Sequence, residues 1–132
     1  MLDHVSITVD DLEAAVDFYD AVLGALGHDR VYRTESAAGY GQRNSATDDS
    51  HCYLSIIAQE SVTPDVRHWA FRTRTREEVD RFYAAALRAG GRDDGGVALR
   101  PEYHVSYYSA FVLDTAGNRI EAVCHRAPDQ VG

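Results

Sequence analysis

The sequence predicts an α+β fold in which two βαβββ modules follow one another within one domain. The first observation is a repeat: at an offset of 64 residues, segments 4–29 and 68–93 align without a gap and share nine of 26 positions. The second is that each copy reads as a short alternating strand, an amphipathic helix and three strand-like runs. A solenoid needs about three or more repeats. The copies are therefore predicted to be half-modules, about 1–60 and 64–126, of a single domain spanning 1–132.

The first half begins with an alternating strand at about residues 4–9. The helix that follows has Asp10 as its predicted N-cap and Glu13 three residues later, which is a capping-box pattern. Gly27 is predicted to end this helix. Three strand-like runs complete the half: RVYRTE, AGYGQR and CYLSIIA.

The second half repeats this order, with a strand at about residues 67–73. Thr75 is the predicted N-cap of its helix, with Glu78 three residues later, and Gly90-Gly91 ends it. The strand-like runs are GVALR, YYSAFVL and RIEAVCH, and the tail 127–132 is expected to be loose. Aromatic pairs at equivalent positions of the two helices are expected to pack in the core: Phe18-Tyr19 and Phe82-Tyr83.

The composition is that of an ordinary globular protein, with 45% hydrophobic and 26% charged residues. A net charge of −8 and the lack of a basic run argue against a nucleic-acid partner. No stretch has the length of a transmembrane helix and the start does not resemble a signal peptide, so a cytoplasmic protein without a membrane partner is expected. Cys52 and Cys124 fall in apolar strand-like runs, and both are expected to be buried free thiols.

Strand parity identifies candidate metal ligands, because alternate residues of a strand face opposite sides. The apolar positions, Trp69 and Phe71 among them, are expected to pack under the helices. The opposite face brings together His4, His68 and Glu121, and two histidines with one carboxylate suit a divalent metal. The two histidines occupy equivalent places in the repeat, which favours a site. The simpler alternative is that each is a hydrogen-bonded surface residue.

Three features resemble one known superfamily: the paired βαβββ order, the opening DHVSITVDDLEAAVDFYDAVLGALG and the closing FVLDTAGNRIEAVCH. The chain resembles, over nearly its whole length, the vicinal oxygen chelate superfamily. That superfamily includes glyoxalase I, extradiol ring-cleaving dioxygenases, and bleomycin- and fosfomycin-resistance proteins. The resemblance implies a curved mixed sheet around a cup, with the helices on the outside. A homodimer is also expected.

The resemblance places the metal ligands on His4, His68 and Glu121. The bound ion would be Fe2+, Mn2+, Ni2+ or Zn2+, since histidine and carboxylate ligands suit all four. The fourth ligand position of glyoxalase I falls on Ser55, which is a poor ligand for a divalent metal. The arrangement therefore resembles the two-histidine, one-carboxylate site of the extradiol dioxygenases, which leaves positions open for substrate.

The dioxygenase comparison also provides catalytic candidates. His104 falls on the histidine expected upstream of the last ligand, and Phe111 stands where a tyrosine is expected. A phenyl ring cannot donate a proton, so the sequence departs from the ring-cleaving pattern at this position. Tyr107 and Tyr108 are the alternatives in place of that tyrosine, although their spacing differs, and Tyr107 is taken as the candidate donor. His104 is the second catalytic candidate. The alternatives are a role in the cup wall for the tyrosines and a loop position near the mouth of the cup for His104. The predicted cup lining consists of Ser6, Tyr53, Ser55, Arg72 and Phe111.

Two functions follow from the sequence. The first is a metal-dependent enzyme of the glyoxalase/dioxygenase type, a lyase, isomerase or dioxygenase acting on a small oxygenated substrate bound to the metal. The second is a metal-free binding protein for a small molecule, of the antibiotic-sequestering type found among bleomycin-resistance proteins. Either one takes a small-molecule partner.

Overall fold

The computed structural model describes residues 1–128 and contains two βαβββ modules in tandem. The first module consists of β1 (His4–Val9), α1 (Leu12–Ala25), β2 (Arg30–Arg33), β3 (Ala37–Gly41) and β4 (Tyr53–Ala58). The second consists of β5 (His68–Thr73), α2 (Arg76–Arg88), β6 (Arg92–Leu99), β7 (Tyr108–Leu113) and β8 (Arg119–Cys124). The predicted element order is thereby confirmed.

The modules form two separate four-stranded mixed sheets with the same topology, β1-β4-β3-β2 and β5-β8-β7-β6. In each, the first strand pairs in parallel with the last, and the remaining pairs are antiparallel. The helix supplies the crossover that a parallel pair requires. The predicted curved α+β fold is confirmed. Its two sheets are not closed on one another, and β1 and β5 each form a sheet edge.

The helix boundaries follow local sequence signals. The N-cap of α1 is Asp11, whose side chain accepts from the Ala14 amide, so the prediction of Asp10 is wrong by one residue. Either aspartate suits a cap by residue type. In the structure, Asp11 is the extended residue directly before the helix, and it is its side chain that reaches the Ala14 amide. Thr75 caps α2 as predicted, accepting from the Glu78 amide. Both helices end close to a glycine with positive φ, Gly27 at 84° and Gly90 at 95°.

A single hydrophobic core includes residues of both helices and both sheets. Ile7, Phe18 and Phe82 are buried in it as the patterns predict. Trp69 is 40% exposed, so its predicted place in the core is wrong. The reason is that β5 is an edge strand: α2 covers Phe71, whose ring centroid lies 6.3 Å from that of Phe82, but leaves Trp69 at the open side.

A buried carboxylate, Asp114, connects the two modules. Its Oδ2 accepts the Tyr19 hydroxyl at 2.6 Å and the Asn118 side-chain amide at 3.0 Å, while Oδ1 accepts the backbone amides of Ala116 and Asn118. The Asn118 amide also donates to the Thr8 carbonyl oxygen at 2.8 Å. Burial and the neighbouring Asp114 raise the pKa of the Tyr19 hydroxyl well above its usual value. The hydroxyl therefore remains a donor to the carboxylate.

The two cysteines lie in different environments. Cys124 is 1% exposed at the end of β8, as predicted. Cys52 is exposed, so its predicted burial is wrong, because β4 begins only at Tyr53. Both thiols are free.

The C-terminal tail predicted to be loose falls largely on residues 129–132, which lie outside the described residues. Within the described part, neither helix is long and apolar enough to cross a membrane.

Replacing Tyr19 with Phe is expected to lower the free energy of unfolding by about 1–2 kcal/mol, because the buried carboxylate loses a donor. Asp114→Ala is expected to cost about 3 kcal/mol or more, since the turn amides lose their acceptor as well. Urea unfolding followed by circular dichroism measures both. Tyr83→Phe is the matched control, at the equivalent, partly buried place of the repeat, and should cost no more than about 0.5 kcal/mol. Equal losses for Tyr19→Phe and Tyr83→Phe would contradict the assigned role of Asp114.

One thiol per chain is expected to react rapidly with Ellman's reagent in the native protein, because only Cys52 is accessible. Cys52→Ser should remove the fast phase, and Cys124→Ser should leave it intact. A fast phase that survives in Cys52→Ser would contradict the burial of Cys124.

Candidate metal and substrate site

The centre of the site is a contact between His68 on β5 and Glu121 on β8. Nε2 of His68 lies 3.2 Å from Oε1 of Glu121. The Glu121 side chain is 2% exposed and that of His68 is 37% exposed. The two strands are parallel neighbours, so residues of matching parity face the same side. The structure thus brings two of the three predicted metal ligands together.

Tyr107 completes the surroundings of this carboxylate. Its hydroxyl donates to Oε2 of Glu121 at 2.7 Å. Burial, followed by the hydrogen bond to Glu121, raises the pKa of the Tyr107 hydroxyl, while Arg100 acts in the opposite direction. The hydroxyl is therefore protonated near neutral pH. The sequence analysis names Tyr107 as a candidate donor from its residue type, but only the structure shows its contact with Glu121.

An aromatic ring lies beside the pair. Phe111 on β7 is in register with Glu121, and its ring centroid is 5.6 Å from that of His68. The guanidinium carbon of Arg119 lies 4.1 Å from the Phe111 centroid, and that of Arg100 lies 4.8 Å from it. The ring provides an apolar wall and no proton donor.

His104 does not contact Glu121 directly, because Tyr107 lies between the two side chains. Its Nε2 is 2.8 Å from Nδ1 of His125, and the rings of this pair are stacked. Both imidazoles meet the Tyr107 ring edge-on, with centroids 5.4 and 5.3 Å away. His104 therefore reaches Glu121 through Tyr107. The sequence analysis does not identify His125. The signal was available, because His125 lies four residues after Glu121 and alternation past the end of β8 places both on the same side.

His4 is held in a different set of contacts. Its Nδ1 donates to Oδ1 of Asp3 at 2.8 Å, and the Asn44 amide donates to the other oxygen of Asp3 at 2.8 Å. Asn44 also exchanges hydrogen bonds with the backbone of His51. The hydrogen bonds from Asn44 and His4 lower the pKa of Asp3. A carboxylate on one ring nitrogen fixes the ring and directs the other nitrogen outward, as in metal-ligating histidines. Asp3 and Asn44 were not predicted from the sequence.

A single chain does not bring His4 to the other two ligands. Within residues 1–128, no three His, Cys, Asp or Glu side chains lie close enough to hold a metal ion. The turn before β8 meets β1 at Thr8, where the Asn118 side-chain amide donates to the Thr8 carbonyl oxygen. His4 is four residues further along the strand, or about 13 Å. Its role as a ligand therefore stays a prediction.

The remaining predicted cup residues lie in different places. Ser6 lines a hollow of about 380 Å³ between β1, the linker after β4 and the start of β8. Tyr53 and Arg72 line a groove of about 1030 Å³ between the two modules, together with Tyr107. Ser55 is in register with Ser6. A β-carbon at Gly39 would overlap the Tyr53 ring, so glycine at this position lets that ring lie flat on the sheet.

His68 and Glu121 are two donors of types that suit a divalent ion. Two neighbouring ligands at about 2.1 Å from a metal, at a right angle, lie about 3 Å apart. The 3.2 Å between His68 Nε2 and Glu121 Oε1 is an ion-pair contact that is also compatible with that spacing. One imidazole nitrogen and one carboxylate oxygen are also the ligand types used by iron, manganese, nickel and zinc.

Comparison with known proteins identifies the family. A sequence profile of the Glyoxalase/Bleomycin resistance protein/Dioxygenase superfamily matches residues 1–122. The chain belongs to this superfamily. A glyoxalase/bleomycin resistance protein from Albidiferax ferrireducens T118 is 27% identical, with a TM-score of 0.82 over 94% of this chain and 98% of that one. None of the curated proteins matches the sequence significantly.

Two more distant structures share the fold of this superfamily member. A fosfomycin resistance protein, FosX, from Listeria monocytogenes, solved with Mn(II) and a dihydroxypropylphosphonic acid, is 17% identical, with a TM-score of 0.68 over 98% of this chain and 93% of that one. Lactoylglutathione lyase from Agrobacterium tumefaciens is 20% identical, with a TM-score of 0.64 over 94% of this chain and 92% of that one.

Proposed function

We propose that this chain is a metal-dependent enzyme that holds a divalent ion on His68 and Glu121 and acts on a small oxygenated substrate. The observation that carries the proposal is the contact between a buried carboxylate and a half-open imidazole on one sheet face. Burial of an ionised carboxylate is costly unless it is paired or ligates a metal. Support also comes from the FosX relative, whose structure contains Mn(II). Fe2+, Mn2+, Ni2+ and Zn2+ all remain suitable ions.

We propose further that the third ligand is His4 of a second copy, which makes the protein a homodimer with a site across the interface. His4 does not join the pair in its own chain. Both β1 and β5 are free sheet edges, and they border the groove between the modules. The bond to Asp3 holds the His4 ring in the manner of a ligand.

Each residue of the site has a distinct role in this proposal. A bound divalent ion supplies Lewis acidity toward two adjacent oxygens of the substrate. The Tyr107 hydroxyl, protonated at neutral pH, orients Glu121 and offers a proton at its oxygen. The Phe111 ring excludes water beside His68. Because Phe111 cannot donate a proton, we favour a lyase or isomerase over ring cleavage.

The second candidate is a metal-free binding protein for a small molecule. It is favoured by the fact that each oxygen of Glu121 already has a partner within the chain, His68 on one and Tyr107 on the other. The groove of about 1030 Å³ is also large enough for a drug-sized ligand. In that function the same residues would serve as hydrogen-bonding groups of the wall.

Chelator-treated protein titrated with Mn2+, Ni2+ or Zn2+ is expected to bind one ion per chain by calorimetry and elemental analysis. His68→Ala and Glu121→Ala should abolish stoichiometric binding, and His4→Ala should weaken it about tenfold or more, because each removes a ligand. His28→Ala, an exposed histidine after α1, is the matched control and should bind as the wild type does. Full occupancy in Glu121→Ala would refute the site. No binding by the wild type would favour the metal-free function.

Co-expression of His4→Ala with Glu121→Ala tests whether the site crosses between copies. Glu121→Ala alone should bind no metal at stoichiometric level, and His4→Ala alone should bind it about tenfold or more weakly than the wild type. A mixed dimer has one complete site, formed by the intact His4 of one chain and the intact Glu121 of the other, so binding should recover to one ion per mixed dimer. Separation by two affinity tags isolates that species. A mixed dimer without metal would contradict the shared site.

A further inference from the structure

Arg100 is a half-buried charged residue on the same sheet face as Glu121. It follows directly after β6, and its guanidinium lies over the Phe111 ring, which is in register with Glu121. Its Nε donates to the hydroxyl of the fully buried Ser109 at 2.8 Å. The side chain is thus fixed toward the substrate site proposed above.

All the acceptors that hold this guanidinium are neutral. Besides Ser109, they are the carbonyl oxygens of Gly95 and Gly96, at 3.2 and 2.9 Å from Nη2. Within residues 1–128, Arg100 forms no ion pair, and its Nη1 has no hydrogen-bond acceptor. A partly buried charge without a counter-ion is costly, and the cost falls when an anion binds.

The backbone of β6 is shaped to hold this arginine. The strand shifts register between Asp93 and Gly96, and Gly95 and Gly96 have φ of 132° and 70°. Such conformations favour glycine. Asp93 stabilises the bulge by accepting both glycine amides, at 3.3 and 2.6 Å. The carbonyl oxygens that fix Arg100 are therefore preorganised.

Arg119 provides a contrast within the same site. It also lies against Phe111, but its Nε donates to Asp94 at 2.7 Å, so its charge is compensated. Of the two guanidinium groups flanking this ring, that of Arg119 has an ion pair within residues 1–128 and that of Arg100 has none. The backbone amide of Arg100 also donates to the carbonyl oxygen of Tyr107 at 2.7 Å, and the Tyr107 hydroxyl donates to Glu121, which places Arg100 beside this carboxylate.

We propose that Arg100 binds an anionic oxygen group of the substrate, a carboxylate, phosphonate or phosphate. The free edge of a guanidinium matches two oxygens of such a group. This proposal rests on the proposed function, in which the reacting oxygens of the substrate face His68 and Glu121 while the anionic group faces Arg100. Arg100 is then a specificity-determining residue that selects negatively charged substrates in spite of the protein's net charge of −8.

Calorimetric titration of chelator-treated protein with methylphosphonate and with acetate tests this proposal without metal. The wild type should bind at least one of them saturably and should not bind the neutral dimethyl methylphosphonate. Arg100→Gln is expected to weaken anion binding about tenfold or more. Arg100→Lys keeps the charge but loses the planar fork, so its affinity should be intermediate. Arg119→Gln is the matched control and should stay within about twofold.

Three results would overturn the proposal. The first is equal anion affinity of the wild type and Arg100→Gln, and the second is an equal loss of anion affinity in Arg100→Gln and Arg119→Gln. The third is that the wild type binds neither anion saturably. Preference for methylphosphonate over acetate would assign phosphonate or phosphate, and the reverse a carboxylate. Metal stoichiometry of the wild type is measured separately. If Arg100→Gln loses anion binding but the wild type binds no metal, the proposed metal-dependent enzyme is rejected and the anion site is retained. If the wild type binds metal but Arg100→Gln keeps its anion affinity, only the anion site is rejected.

Discussion

The hydrogen-bond group around Asp114 is the interaction on which the relation between the two modules depends. One buried carboxylate accepts from Tyr19 in the first module and closes the turn before β8 in the second. The same turn places Asn118 against the backbone of Thr8. Since β8 starts at the residue after Asn118, this group also sets the position of Glu121. A buried, fully satisfied carboxylate specifies one arrangement, because any other leaves its charge unpaired.

A second buried carboxylate, that of Glu121, lies at the candidate site. Glu121 is as buried as many core residues, yet it has one imidazole and one phenolic hydroxyl as partners. Neither partner is a fixed cation, so the carboxylate keeps its capacity to bind a divalent ion. Arg100, held only by neutral acceptors, adds a positive charge at a distance that does not neutralise Glu121 through an ion pair. In the proposed function, the site would thus offer one place for a cation and another for an anion.

The two modules carry different residues, or different contacts, at equivalent positions of the repeat. Glu121 in the second half corresponds to Ser55 in the first, and both lie next to the module's first strand. His68 contacts the carboxylate across its sheet, whereas His4 is held by Asp3 and remains exposed. The second module therefore contains two of the three predicted ligands in contact. The first contains the third, His4, which does not join them within the same chain.

Much of the fold could be predicted because its signals are local. The repeat, the helix caps and the alternation in β1 and β8 depend on neighbours a few residues apart, and they fixed the element order and the face shared by His68 and Glu121. Trp69 and Cys52 were assigned wrongly, because burial depends on whether a neighbouring strand or helix covers a position. Sequence alternation carries no information about sheet edges.

The sequence by itself determined the family, the two-module architecture and the residue types available for a metal site. Only the tertiary structure decided which of them meet. Within residues 1–128, it placed Tyr107 on Glu121, paired Arg119 with Asp94 while leaving Arg100 without a counter-ion, and kept His4 away from the other two predicted ligands. The physical reason is that these contacts depend on how two sheets, a bulge and a loop approach one another. That approach is set by packing and buried hydrogen bonds between residues far apart in the chain.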